Sequence, residues 1–571
     1  MNTLKWWQKA VFYQIYPRSF ADGNGDGIGD VPGMIAKLDY LADLGIEGVW
    51  ISPHYPSPQA DCGYDVADYC DVAPEYGTLD DFRLFLDEAH KRGLRVILDM
   101  VFNHTSDQHA WFLESKSSRD NPKRDWYVWR DGKVGPNGEK LPPNNWEASF
   151  TGSAWEYDPT TDQYYYHFFL KEQPDLNWRN PEVRAAMWDA VRFWLEMGVD
   201  GFRLDAIGTI FEDPDTSDHE TGLSLVELYQ LSQAAQTEEE REAVGEKWEA
   251  LFAYQVDRAD EMHPLMKELR KVVDAYSDKV LVAEDSNIAY HGSGDDELHL
   301  VFNFPLMRIE GLLTPAHIRK NQAERLAELP EGAWPCNTLG NHDSSRVKSA
   351  FGDGVHDDAL ARLSLVLMLT LRGTPFIYNG EEIGMTDAVF TDIAQLRDMM
   401  AVRQYELATG MGMPADEAAA MACAHTRDRC RTPLQWQNAP NAGFSPAGVE
   451  TWLPVNSNYA EGINVEEQQG DPASMLSFTR QMLALRRATP ALIAGDYTPL
   501  LEDHAECLCF LRTFEGQTCL VVFNFSDKEQ PLTFEGLHAQ RLLFSSARRL
   551  GPGDLQALEI TPFEIYLAEV A

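Results

Sequence analysis

Short apolar runs bounded by turn residues recur along the chain, and several of the intervals between them carry helical periodicity. Runs at 11–16, 48–52, 95–100, 201–204, 279–283, 300–304, 336–339 and 375–378 read as eight short strands. The stretches 31–44, 79–92 and 181–197 place apolar residues on one helical face. Strands alternating with helices predict an α/β fold, a (β/α)8 barrel. In that architecture chemistry collects at the C-terminal strand ends.

Three stretches exceed a minimal barrel. After the third run, 105–174 is aromatic and rich in Gly, Pro and Asn, and reads as an inserted subdomain over the barrel mouth. After the fourth, 224–258 is acidic and helical, with Thr237-Glu238-Glu239-Glu240 as a solvated helix start. After the eighth, the Met- and Ala-rich stretch 394–424 also reads as helix. From about position 498 the period changes to two, which predicts a C-terminal antiparallel β-sandwich. The division expected is a barrel at 1–104 and 175–490, an insert at 105–174 and a β-sandwich domain at 491–571.

Composition narrows the partners. The 571 residues are 44% hydrophobic, enough for a large core, and 90 acidic against 48 basic residues give a net charge of −42. Such a surface repels phosphate backbones and anionic membranes, so neither nucleic acid nor a membrane is an expected partner. No run of about 18 apolar residues appears. The first ten residues lack the apolar core and cleavage site of a signal peptide, so a cytoplasmic protein is expected. The eight cysteines show no metal-ligand spacing and read as reduced thiols.

Strand ends supply the chemistry. The third gives Asp99-Met100-Val101-Phe102-Asn103-His104, the fourth Arg203 and Asp205, the fifth Glu284, and the seventh Asn341-His342-Asp343. Three carboxylates at one barrel mouth suit glycoside hydrolysis, in which one attacks, one protonates the leaving oxygen and one stabilises the transition state. Arg203 is expected to lower the pKa of Asp205 and hold it ionised. Separately, Asp22-Gly23-Asn24-Gly25-Asp26-Gly27-Ile28-Gly29-Asp30 alternates oxygen side chains with glycines, as a loop wrapping a hard cation does. It is not an EF-hand, because its twelfth position is Gly33.

These motifs, with Phe12 to Phe20, Gln173-Pro174-Asp175-Leu176-Asn177-Trp178 and Arg431 to Trp436, resemble glycoside hydrolase family 13, the α-amylase superfamily. Within it the chain is similar to the α-glucosidase and oligo-1,6-glucosidase branch. The resemblance implies Asp205 as nucleophile, Glu284 as general acid/base and Asp343 as transition-state stabiliser. It implies that His104 and His342 donate to sugar hydroxyls, that Tyr64 stacks under the ring, and that Asp61 and Arg427 close the pocket behind a terminal sugar. Arg431 competes with Arg427 for that last role. A structural Ca²⁺ is implied, held by Asp22, Asn24, Asp26 and Asp30 with the Ile28 carbonyl, and no organic cofactor. Ala206, after the nucleophile, leans towards maltose-type α-1,4 bonds. The activity implied is a retaining exo-α-glucosidase on short α-glucosides, a monomer or homodimer, with transglucosylation as a second outcome. Trehalose synthase, sucrose hydrolase and oligo-1,6-glucosidase are the nearest alternatives, and a non-catalytic binding homologue the distant one.

Overall fold

The computed structural model describes residues 4–150, 152–255, 258–309 and 311–571. Positions 1–3, and positions 151 and 256–257 of the two expected excursions, lie outside the described residues. Eight parallel strands carry the molecule: β1 Phe12–Ile15, β2 Gly48–Ile51, β3 Arg95–Val101, β4 Gly201–Asp205, β5 Val280–Ala283, β6 Leu300–Val301, β7 Cys336–Thr338 and β8 Thr374–Tyr378. They pair in the order β6-β5-β4-β3-β2-β1-β8-β7, with the helices between them in sequence, as a (β/α)8 barrel requires. Every residue of β1, β2, β4, β5 and β8 is buried, which is why these strands read as apolar runs rather than alternations.

Among the described residues no backbone ladder joins β6 to β7. Side-chain amides span the seam instead: Asn303 Nδ2 donates to Asn337 Oδ1 at 3.1 Å, and Asn303 and Asn321 exchange bonds of 2.8 and 2.9 Å. β6 stops two residues in, short of the expected 300–304, because the helix Phe304–Met307 starts there with Pro305 in its first turn.

Helix ends follow local chemistry. Thr78 and Asp81 form a reciprocal capping box before Leu79–Lys91. Asn180 caps Pro181–Met197, and Gly198, in the left-handed region, ends it. The expected helix at 31–44 is two, Val31–Ala36 and Leu38–Leu44, broken at Lys37. The 224–258 excursion holds Leu225–Ala234 and Glu238–Phe252, the second opened by the Thr237–Glu240 box. The stretch expected to be helical at 394–424 holds two helices, Met399–Gly410 and Ala415–His425, separated where Gly412 adopts φ +92° and Pro414 follows.

Between β3 and β4 lie a three-stranded and a two-stranded antiparallel sheet. At the C-terminus a five-stranded antiparallel sheet and the strand pair Gln530–Leu532 and Leu558–Ile560 enclose a separate core in which Cys507 and Cys509 share one face.

Candidate active site

Strand register assembles the site. β3 and β4 pair Asp99 with Arg203, and β4 and β5 pair Leu204 with Ala283, so Asp205 and Glu284 leave adjacent strands at the same level. Arg203, 1% exposed, serves three carboxylates. Its Nη1 donates to Asp99 Oδ1 at 2.7 Å and to Asp205 Oδ1 at 2.5 Å, and its Nη2 lies 2.8 Å from Glu284 Oε1.

That sharing corrects the expectation for Asp205. Burial pushes its carboxyl well above the usual range, Arg203 pulls it down, and Glu284 and Asp99 push it up again. Asp99 likewise rises to about 6, from burial opposed by Arg203. The one guanidinium, shared with Glu284 as well, does not offset the burial of Asp99 and Asp205, so both carboxyls favour the protonated form more than a free carboxylate does.

Asp343 is the opposite case. Burial alone would raise it, but His342 and the guanidiniums of Arg431 and Arg427 outweigh burial and hold it well below the carboxylate range. Arg431 Nη2 bonds its Oδ1, Arg427 Nη1 donates at 3.2 Å, and His342 Nε2 lies 3.2 Å from Oδ2. Two carboxyl environments in one site thus diverge.

Asp205, Glu284 and Asp343 line a single cavity of about 480 Å³, together with Asp61, Tyr64, His104, Ala206 and Arg427. An ion-pair cluster forms part of its lining. Arg427 Nη2 contacts Asp61 Oδ1 at 3.2 Å and Asp398 Oδ1 at 2.7 Å, and Gln173 Nε2 donates to Asp61 Oδ2 at 3.2 Å. Between the two arginines left open by the sequence, Arg427 pairs with Asp61 and Arg431 with Asp343. Tyr64 stacks on His342 at 5.4 Å, with ring planes within 6°. His104 is oriented by Asn103 Oδ1 at 2.8 Å, and burial lowers its pKa to about 3.

Arg203 and His342 lie beneath this cavity rather than lining it. His342 is fully buried, with Nδ1 2.8 Å from Gln14 Nε2 and Nε2 2.6 Å from the Tyr64 hydroxyl. Asp22, Asn24, Asp26, Ile28 and Asp30 line no part of it. In their loop Asp22 accepts from Gly25 and Gly27 at 2.6 and 2.9 Å, Asp26 from Ile28 at 2.9 Å, and Asp30 from Gly23, Asn24 and Gly33. Among the described residues no three His, Cys, Asp or Glu side chains converge to hold a metal ion.

Sequence reasoning missed Asp398 and the wall of Phe150, Phe168, Phe169, Phe304 and Arg308. Asp398 directly precedes the helix Met399–Gly410 and caps it, a sequence signature that conceals its second partner, Arg427.

Known proteins resemble this chain along most or all of its length. An oligo-1,6-glucosidase of Parageobacillus thermoglucosidasius is 40% identical over 540 residues, covering 92% of this chain and 91% of that one. A probable α-glucosidase of Rhizobium meliloti is 41% identical over 543 residues, with coverage of 92% and 91%. The crystal structure of trehalulose synthase from Pseudomonas mesoacidophila MX-45 superposes with a TM-score of 0.87 at 37% identity, covering both chains entirely. The catalytic-domain model of α-amylase matches residues 14–495, and the chain belongs to that family, glycoside hydrolase family 13, as a glycoside hydrolase.

Proposed function

We propose that this enzyme is a retaining exo-α-glucosidase that releases α-glucose from the non-reducing end of short α-glucosides, favouring maltose-type α-1,4 bonds. One observation carries the reading: three carboxylates converge on a cavity that the Asp61–Arg427 pair also lines. In this reading the pair closes the pocket behind a terminal sugar, which leaves no path for a chain to run through.

The chemistry follows from the placements. In its ionised form Asp205 attacks the anomeric carbon while protonated Glu284, bridged to it by Arg203, delivers a proton to the glycosidic oxygen. Two carboxyls on one guanidinium suit the separation of about 5–5.5 Å that retention requires. Asp343, kept anionic by its arginines, opposes the positive charge that develops on the sugar. Glu284 then activates water, or a second sugar, against the glucosyl-enzyme, and a sugar acceptor gives transglucosylation. Ala206 leaves space beside the nucleophile for the leaving sugar. The names of similar proteins favour a second reading, α-1,6 linkages.

Maltose, isomaltose, sucrose and trehalose form the test panel, with the anomer of released glucose followed by NMR. Maltose should be cleaved with α-glucose appearing first, and Asp205→Asn should abolish turnover. Higher kcat/KM on isomaltose supports the second reading. Initial β-glucose, or no hydrolysis of any of the four, rejects the proposal.

The reading includes a cytoplasmic setting, which the eight unbridged cysteines suit. It also gives the 22–30 loop one Ca²⁺, on the strength of its alternating oxygen side chains, with binding drawing the carboxylates together. Melting temperature in Ca²⁺ should then exceed that in EGTA, and equal values reject the ion.

A further inference from the structure

A buried polar chain connects the helical excursion after β4 to Glu284. At its catalytic end the main-chain N–H of Ala206 donates to Glu284 Oε2 at 2.8 Å. That donor is aimed by a left-handed backbone, φ 43° and ψ 43°, which a residue bearing a Cβ adopts only at a cost. Something must therefore hold the turn. Thr209 donates to the Ala206 carbonyl twice, from its N–H at 3.0 Å and its hydroxyl at 2.8 Å. The Thr209 carbonyl in turn accepts from two side-chain amides, Asn103 Nδ2 and Gln255 Nε2. Both amides also face Asp175 Oδ2, at 3.0 and 3.4 Å. Gln255 is fully buried, and its Oε1 accepts from the Tyr166 hydroxyl at 2.6 Å.

We infer that Gln255 is a positioning residue for the acid/base: by clamping the Thr209 carbonyl it fixes the 206–209 turn and so aims the Ala206 N–H at Glu284. Tyr166, from the insert between β3 and β4, sets the orientation of Gln255. An amide is the group this position needs, because it must donate to a carbonyl and accept from a phenol at once. The chain makes both excursions from the barrel parts of the proton-delivery apparatus.

The inference rests on Glu284 being the acid/base, and leaving-group dependence separates the two claims. Maltose departs as a sugar alkoxide that needs a proton, whereas p-nitrophenyl α-glucoside releases a phenolate that needs little help. The parameter kcat/KM reads only the glycosylation step and is measured on both substrates, with folding checked by thermal melting. Gln255→Ala should lose about tenfold or more on maltose and much less on the aryl glucoside. Tyr166→Phe, a milder change that keeps the ring, should shift the same ratio less, and it decides the matter if Gln255→Ala does not fold. Equal losses on the two substrates, or no loss, would make Gln255 a packing residue and overturn the inference. Glu284→Ala, run alongside, must itself show strong leaving-group dependence; a uniform loss there rejects the acid/base assignment instead.

Discussion

Arg427 concentrates the electrostatics of one part of the cavity on a single side chain. It contacts Asp61, Asp343 and Asp398, and Asp398 is completely buried. Burial works against an ionised Asp398, yet the Arg427 guanidinium holds it below the ordinary range. Removing one partner of a buried pair leaves the other charge uncompensated, at a cost of about 3–5 kcal/mol. Arg427→Ala should therefore lower the urea midpoint substantially as well as kcat/KM on maltose. Arg427→Lys should recover only part of either, since one ammonium cannot reproduce a planar fork reaching three carboxylates. An unchanged midpoint in Arg427→Ala would show that Asp398 draws its compensation elsewhere. At this scale the sequence revealed what the barrel makes inevitable: residues ending strands converge, so Asp205, Glu284 and Asp343 could be grouped before any geometry was known. Phe150 could not, because it sits on the insert, whose path over the mouth no strand period dictates, and Arg308 could not, because it follows the helix Phe304–Met307 rather than ending a strand.

Elements were legible for a similar reason. A strand buried on both faces is largely apolar, and β1, β2, β3, β4, β5, β7 and β8 fall within two residues of their expected bounds. The misplaced end of β6 has a local cause, since the helix Phe304–Met307 follows two residues after Val301. One strand start is tighter than any pattern shows. Gly201 opens β4 at φ +153°, and a Cβ there would lie 2.0 Å from the Val280 carbonyl oxygen, on the neighbouring strand that carries Glu284. That atom belongs to rigid backbone, so the strands must part. Gly201→Ala should destabilise the fold by at least about 2 kcal/mol. In whatever folded fraction remains, activity should fall because the register of β4 against β5 sets Asp205 beside Glu284. A stable, fully active variant would mean that β4 and β5 can shift without disturbing the pair.

For the molecule as a whole, buried histidines govern the response to acid. Burial lowers His54, His104 and His342 to about 3, against about 6.5 in an unfolded chain. Between those values the unfolded chain binds protons that the folded chain refuses, so stability rises with pH through this window and is lost as pH falls from 6.5 towards 3. At pH 5 each such residue costs about 2 kcal/mol. Glu381, pushed up to about 8 by burial, acts in the opposite sense. The fold keeps a proton that the unfolded chain releases above about 4.3, and this contribution fades as pH rises towards 8. Opposed limbs predict a melting temperature that peaks near neutrality and falls on both sides. His54 isolates the acid limb, since it touches no catalytic group and stacks on Phe82 at 4.8 Å, with neither ring nitrogen hydrogen-bonded among the described residues. His54→Phe removes the titration and keeps a ring in the same slot, so the gain in melting temperature over wild type should be larger at pH 5 than at pH 7.5. Equal gains at the two pH values would mean that His54 acts through packing and that proton uptake on unfolding lies elsewhere.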